Sequence, residues 1–432
     1  MWRKVCIAND DELQTCAYAY VMWWTHCLMK GITISSIRVS HAGSLPRTEQ
    51  LIAANAGRFD NNFNNDEFQR LLQDSVVDLV AKQKELGITD VNDGEYGHAM
   101  AAAKDYGAWW HYSFERTGGL ELRDVDFFSA EPVRSEPGNV QLTSFPDRRD
   151  RNLFPGVYTD GTAGADTGTQ PQFPTATGPV TYIGQDKVQR DIENLRVACE
   201  KAGVDRSTAY INSLGPSSAA RITNEYYDSE EEFIWAMADV FREEYLAITE
   251  AGFIVQIDDP SIAENFDQIN PEPSYEDYRA FTRPRIEALN HALRGIDPQR
   301  VRFHTCWGSW HGPHVTDLPF AEIVDDVLGI NAAGITFEAA NVRHEHEWRI
   351  WEDTKLPEGK YLIPGIVSHS TNVVEHPELV ADRIERFARL VGPENVVAST
   401  DCGLGGRIHP EIAWAKLETL SQGAEIASKR LS

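Results

Sequence analysis

From Ile34 onward, short apolar runs alternate with longer stretches in which apolar residues recur every three or four positions. A strand covered on both faces reads as a continuous apolar run, and a helix lying on it reads as a one-sided stripe, so the alternation predicts βα units around a parallel sheet. The runs fall at Ile37-Arg38-Val39-Ser40, Gly87 to Val91, Thr208 to Leu214, Phe253 to Ile257, Val301 to Phe303, Ile335 to Phe337, Leu362 to Val367 and Val397 to Thr400. Helical stripes are expected over Asp66 to Leu86, Gln185 to Ala202, Ser229 to Ala251 and Ile412 to Leu431. Eight strands of this kind close a (β/α)8 barrel of the TIM type. A ninth run, near Val180, is assigned to an insertion.

That insertion, about 104–184 and following the second strand, interrupts the alternation. It is aromatic-rich at first, charged at Asp147-Arg148-Arg149-Asp150-Arg151, then glycine-rich around Gly161 to Gly168. At the other end, residues 1–30 read as a short extension outside the fold, and residues 31–432 as one barrel. In the extension the acidic cluster Asn9-Asp10-Asp11-Glu12 breaks the basic-then-apolar order of a targeting segment, and Met29 is a candidate start of the folded protein.

Polar residues collect where the strands end. Ser44, Glu95, Asp258, His304, Cys306, Glu338, His369 and Cys402 all stand at or just past the C-terminal end of an apolar run, the face on which barrels of this type build their sites. His304 and Cys306 are two residues apart, so on a strand they face the same way. With Glu338 and Cys402 ending two further runs, three strand ends offer an imidazole, two thiols and a carboxylate, a donor set suited to Zn²⁺.

Composition narrows the partners. With 66 acidic and 40 basic residues the formal net charge is −26, which opposes binding to phosphate backbones and anionic membranes. Neither nucleic acid nor a membrane is an expected partner. The six cysteines lack the spacing of a disulfide framework and suit a reducing, cytoplasmic setting. The sequence leaves homo-oligomerisation open.

The motifs Gly43-Ser44-Leu45-Pro46-Arg47, Asp93-Gly94-Glu95, Gln256-Ile257-Asp258-Asp259-Pro260, His304-Thr305-Cys306, Phe337-Glu338, Ser368-His369-Ser370 and Asp401-Cys402-Gly403-Leu404 resemble the catalytic C-terminal barrel of the cobalamin-independent methionine synthase family. Further stretches, Asp105 to Trp110, Trp307 to Asp317 and Arg343 to Trp348, are similar to its shorter epoxyalkane:coenzyme M transferase branch. The resemblance implies His304, Cys306, Glu338 and Cys402 as zinc ligands, Ser44, Glu95 and Asp258 as thiol-substrate residues, and His369 as a proton donor. A full-length methionine synthase carries a second, N-terminal barrel that helps hold its folate, for which this chain has no room, so folate as methyl donor is in doubt.

These residues suit the alkylation of a small thiol. A thiol with a pKa near ~8.5 is mostly protonated at neutral pH, and coordination to zinc removes its proton. The leading expectation is addition of the thiol to an epoxide. The alternative is methyl transfer to homocysteine, as in a 5-methyltetrahydropteroyltriglutamate-homocysteine S-methyltransferase. An alternative of another class is a zinc-stabilised binding barrel without turnover. Glu95 and Asp258 suit an aminothiol's ammonium group, whereas the sulfonate of coenzyme M would need cations, for which Arg47 and Arg343 are available. His369 serves as general acid or, alternatively, holds a zinc ligand in place.

Overall fold

The computed structural model describes residues 36–59, 64–98, 108–124, 131–160 and 173–432. The extension expected over residues 1–30 and the glycine-rich stretch 161–168 lie outside them.

Among the described residues the strands are, in chain order, β1 (Arg38–Val39), β2 (Thr117–Arg123), β3 (Phe173–Tyr182), β4 (Tyr210–Leu214), β5 (Thr223–Asn224), β6 (Ile254–Asp258), β7 (Val301–His304), β8 (Gly334–Phe337), β9 (Tyr361–Val367) and β10 (Val397–Thr400). Seven of them form one curled parallel sheet in the order β1, β10, β9, β8, β7, β6, β4. Its two edges meet through the segment around Asn92. The amides of Thr89 and Asp90 donate to the Val39 carbonyl of β1, and the Tyr210 amide of β4 donates to Val91. That segment occupies the position of an eighth strand, giving the expected α/β barrel architecture.

β4, β7, β8 and β10 are buried at every residue, as strands sandwiched between an interior and a ring of helices must be. The helix Asn65–Glu85 shows the outer layer's logic. The Asn64 side chain accepts from the Glu67 amide, acidic Asp66 and Glu67 fill the first turn, and Phe68, Leu72, Val76, Leu79 and Val80 are buried. Ser229 caps Glu230–Glu250 in the same way. The last helix, Pro410–Leu431, starts two residues before the expected Ile412.

The barrel interior also holds a buried charge cluster. Arg302, fully buried on β7, pairs with Asp90 and donates to Ser40 Oγ at 3.0 Å. Such a group is tolerated inside only because carboxylate and hydroxyl partners compensate for its desolvation.

The inserted segment supplies β2 and β3, which are antiparallel, to a separate three-stranded sheet completed by β5. Arg116 fastens it to the barrel's outer layer, donating to Asp191 at 2.8 Å and to the buried Glu244 at 3.1 Å. Its charged stretch folds back over the loop after β7. The Asp150 carboxylate accepts from the amides of His314 and Val315, and Arg149 donates to the Phe266 and Thr316 carbonyls.

Candidate active site at the strand ends

β7 ends on His304, and Cys306 follows two residues later. β10 shifts register against β9 between Ser399 and Thr400, the kind of irregularity that re-aims a strand end, and Cys402 lies just beyond. Ligand atoms of His304, Cys306 and Cys402 lie within 4.8 Å of one another, with the two Sγ atoms 4.0 Å apart. Two sulfurs sharing one tetrahedral zinc at roughly 2.3 Å each would stand about 3.8 Å apart, so the pair fits such an ion with little movement. His304 Nδ1 is buried and unpartnered. The hydrogen bond between the cysteines holds the Cys402 thiol well below its ordinary pKa and pushes that of Cys306 well above, so the pair shares one proton.

Glu338, one residue past β8, belongs to an adjoining set: its carboxylate, the His369 ring and the Asp401 carboxylate lie within 4.8 Å of one another. Both Glu338 oxygens are engaged, Oε1 by the Trp307 amide at 3.1 Å and Oε2 by Asn341 Nδ2 at 2.7 Å. His369 is 1% exposed, and neither ring nitrogen has a partner, a costly state for a buried group unless a ligand or a proton fills it. Asp401 Oδ1 accepts from the amides of Ala339 and Ala340, while Oδ2 is orphaned. Burial, with Glu338 beside it, raises the Asp401 pKa well above the carboxylate range. Gly365 makes room for this carboxylate, since a Cβ there would sit 2.3 Å from Asp401 Oδ1.

On the other side of the His304 strand, Glu95 and Asp258 form a pair of half-buried acids. Burial raises both pKa values, and the charge of Asp258 raises Glu95 further. Asp258 is oriented by Asn212 Nδ2 at 2.8 Å and Gln256 Nε2 at 3.0 Å. Glu95 has φ of 59°, a left-handed conformation that a non-glycine residue adopts at a cost. It is held there by its amide donating to Asp93 Oδ1, by its carbonyl accepting from the His98 amide, and by Arg47 on the same carbonyl. Gly43 (φ 137°) lets the acids approach: a Cβ there would lie 2.5 Å from Glu95 Oε1 and 2.3 Å from Asn212 Nδ2.

Ser44 is drawn to the Cys402 loop, its carbonyl accepting from the Leu404 and Gly405 amides. Arg47 is buried, with Nη1 3.4 Å from Ser44 Oγ. Arg343 is exposed and donates to the His314 and Val315 carbonyls. Asn341, Asp401, Asn212 and Gln256 were not singled out by the sequence reading. Asp401 and Gln256 lie within quoted motifs, next to or near a ligand, but nothing local marks Asn341 or Asn212.

His314 and His344 belong to a charged chain behind the site. His314 Nδ1 meets the Asp317 carboxylate at 3.1 Å, His344 Nε2 meets the same carboxylate at 3.0 Å, and His344 Nδ1 meets Glu347 at 2.8 Å. The His344 ring stacks on Trp307 at 3.7 Å. Burial opposes charge on both rings, yet the carboxylates outweigh it and raise His314 to about 9 and His344 to about 10. A raised histidine pKa contributes stability that is complete below the ordinary value of 6.5 and is lost as pH rises through the folded value. Thermal unfolding followed from pH 7 to 10 is therefore expected to show falling stability in the native chain. A His344→Gln variant, less stable at pH 7, should converge on it towards pH 10. Parallel curves would mean that His344 does not carry this charge.

Residues 215–425 match the family model described as cobalamin-independent synthase, catalytic domain. The methionine synthase of Thermococcus kodakarensis is 27% identical over 236 residues, 54% of this chain and 61% of that protein. The chain thus spans about three-fifths of that curated relative. Uncharacterized protein YxjH of Bacillus subtilis is 23% identical over 405 residues, 88% of this chain and 92% of that one. Among solved structures, a B12-independent methionine synthase from Shewanella shares the fold at 20% identity with a TM-score of 0.63, covering 92% of this chain and 99% of its own. No helix among the described residues is long and apolar enough to cross a membrane. Over residues 215–425, then, the chain is similar to the catalytic domain of the cobalamin-independent synthases.

Proposed function

We propose that this chain is a zinc-dependent S-methyltransferase that methylates homocysteine or a closely similar small aminothiol. The observation that carries the proposal is the adjacency of two unlike sites: the His304, Cys306 and Cys402 donor set, and the half-buried acids Glu95 and Asp258 beside it. His304, Cys306 and Cys402 would hold the metal, with Glu338 of the adjoining set reaching it as an exchangeable fourth ligand. When bound, zinc supplies an acidic centre on which a thiol loses its proton at neutral pH.

The chain's own residues do the rest. Glu95 and Asp258, raised in pKa by desolvation and, for Glu95, also by the charge of Asp258, are relieved by an ammonium group placed between them. Asn212 and Gln256 fix the Asp258 carboxylate for that contact. His369, buried with both ring nitrogens open, is available to carry a proton to the leaving amine of the methyl donor.

Methyl transfer stands ahead of the expected addition of a thiol to an epoxide for two reasons. Similar proteins are named methionine synthase, and the solved Shewanella relative is a complex with selenomethionine. Glu95 and Asp258 supply two carboxylates, while Arg47 is committed to the Glu95 carbonyl and Arg343 to the His314 and Val315 carbonyls, which suits an ammonium group better than a sulfonate.

Zinc-edge absorption spectroscopy with a panel of thiols tests this. Homocysteine is expected to add a sulfur to the metal's shell and coenzyme M to leave it unchanged. Sulfur ligation by coenzyme M but not by homocysteine would return the reaction to the epoxide branch. No change with any thiol would leave a binding barrel.

A further inference from the structure

Lys416, on the last helix, is 0% exposed. A buried ammonium group is costly unless it is paired and hydrogen-bonded, and this one donates to Glu375 Oε2 at 2.7 Å and to the Val373 carbonyl at 2.6 Å. Both acceptors lie on the loop between β9 and the helix Pro377–Val391. Gly423 lets the last helix come close enough for this: a Cβ there would sit 2.3 Å from Val380 Cγ1 and 3.0 Å from the Pro377 carbonyl.

The same loop carries His369. Glu375 folds back on its start, Oε1 accepting from the Ser368 amide at 2.8 Å while Oε2 takes the Lys416 ammonium group. Ser368 Oγ in turn accepts from the Ser370 amide at 3.2 Å. Between these two serines stands His369, 1% exposed and with neither ring nitrogen hydrogen-bonded among the described residues. The ring is therefore placed by the backbone on either side of it. Packing at the tip of the loop does little to hold that backbone, since Val373 is 70% and Val374 38% exposed.

We propose that Lys416 is a positioning residue: through Glu375 and the Ser368 amide it fixes the loop after β9 so that the His369 ring stands beside Glu338 and Asp401. Without the ammonium group Glu375 would be a buried, unpaired carboxylate. It would turn towards water and release the Ser368 amide, and His369 would lose its fixed place.

The inference rests on His369 as the proton carrier of the methyl transfer proposed above, and one arm of its test needs no substrate. Imidazole nitrogen NMR of the zinc-loaded chain reports each histidine ring, the His369 signals being those absent from His369→Gln. In Lys416→Met these signals are expected to shift or broaden, while those of His314 and His344 stay in place. A Lys416→Met protein that unfolds at lower temperature with unchanged His369 signals would make the lysine merely structural and overturn the proposal.

The second arm is methyl transfer from 5-methyltetrahydropteroyltriglutamate to homocysteine. Lys416→Met should lower kcat roughly 10–100-fold and leave KM for homocysteine within about twofold, because Glu95 and Asp258 stand on other loops. In a His369→Gln background the same substitution should cost nothing further, whereas an equal loss in both backgrounds would again overturn the proposal. Absence of turnover by the native chain counts against the methyl-transfer reading alone, and the NMR arm then decides. Should Lys416→Met fail to fold, Glu375→Gln, which removes the paired charge from the other side, replaces it in both arms with the same expected outcomes.

Discussion

Cys402→Ser is expected to purify as a folded protein that does not retain stoichiometric zinc after dialysis. A hydroxyl is a harder, weaker donor than a thiolate and is not deprotonated at neutral pH, so the site would keep one imidazole and one thiol. Cys402 is also the group whose pKa the surroundings hold well below normal, so its loss removes the thiolate most available to a cation. The fold should survive, because the barrel's core is built elsewhere, from residues such as Val301, Phe303, Ile335, Leu362, Ile366 and Ala398. Metal analysis with far-ultraviolet circular dichroism checks both halves. Full zinc retention by Cys402→Ser would remove Cys402 from the metal centre and undo the geometry argued above. Loss of fold together with zinc would show that the metal is structural.

The second large effect is at Glu95. Replacing it by glutamine keeps the shape and removes the charge. Homocysteine binding, followed calorimetrically, is expected to weaken by about 1.5–3 kcal/mol, the usual worth of a hydrogen bond to a charged group. The same substitution should stabilise the ligand-free protein at pH 8. The sign follows from linkage: the folded pKa of Glu95 lies above its ordinary 4.5, so ionising it costs stability once pH exceeds that ordinary value, and the cost grows up to the folded pKa. At pH 4 the carboxyl is protonated in both states, and the two proteins should unfold alike. A Glu95→Gln protein that is no more stable at pH 8 but binds homocysteine normally would deny both the strain and the ammonium contact.

A gain in stability from a loss of function is the signature of a site whose groups are held against their own preference. The left-handed backbone of Glu95 points the same way, held as it is by Asp93, His98 and Arg47.

Periodicity alone was enough to read the alternation of strand and helix, because burial on both faces leaves a mark on every residue of a parallel strand. β4 and β10 fall where apolar runs stand, and Gln185–Ala202 has its expected bounds. The strand-end chemistry was equally legible: in a parallel barrel the residue after each apolar run emerges on one face, so His304, Cys306, Glu338 and Cys402 could be picked out together. Contacts between distant segments left no such mark. The run near Val180 reads as one added strand of the insertion, yet β3 reaches back to Phe173 because β2 pairs with it along its length and β5 joins it. The barrel's closure around Asn92 depends on hydrogen bonds to β1 and β4 rather than on any local strand pattern.

Within the site, residue types along the chain proposed one set of four donors, whereas tertiary structure decided their grouping. His304, Cys306 and Cys402 face one point, and Glu338 falls with His369 and Asp401. Asn341 and the Trp307 amide, which engage Glu338, come from the loops after two neighbouring strands. A side-chain amide and a backbone N–H carry no signature of their function in sequence, because both occur everywhere and only the path of the backbone aims them.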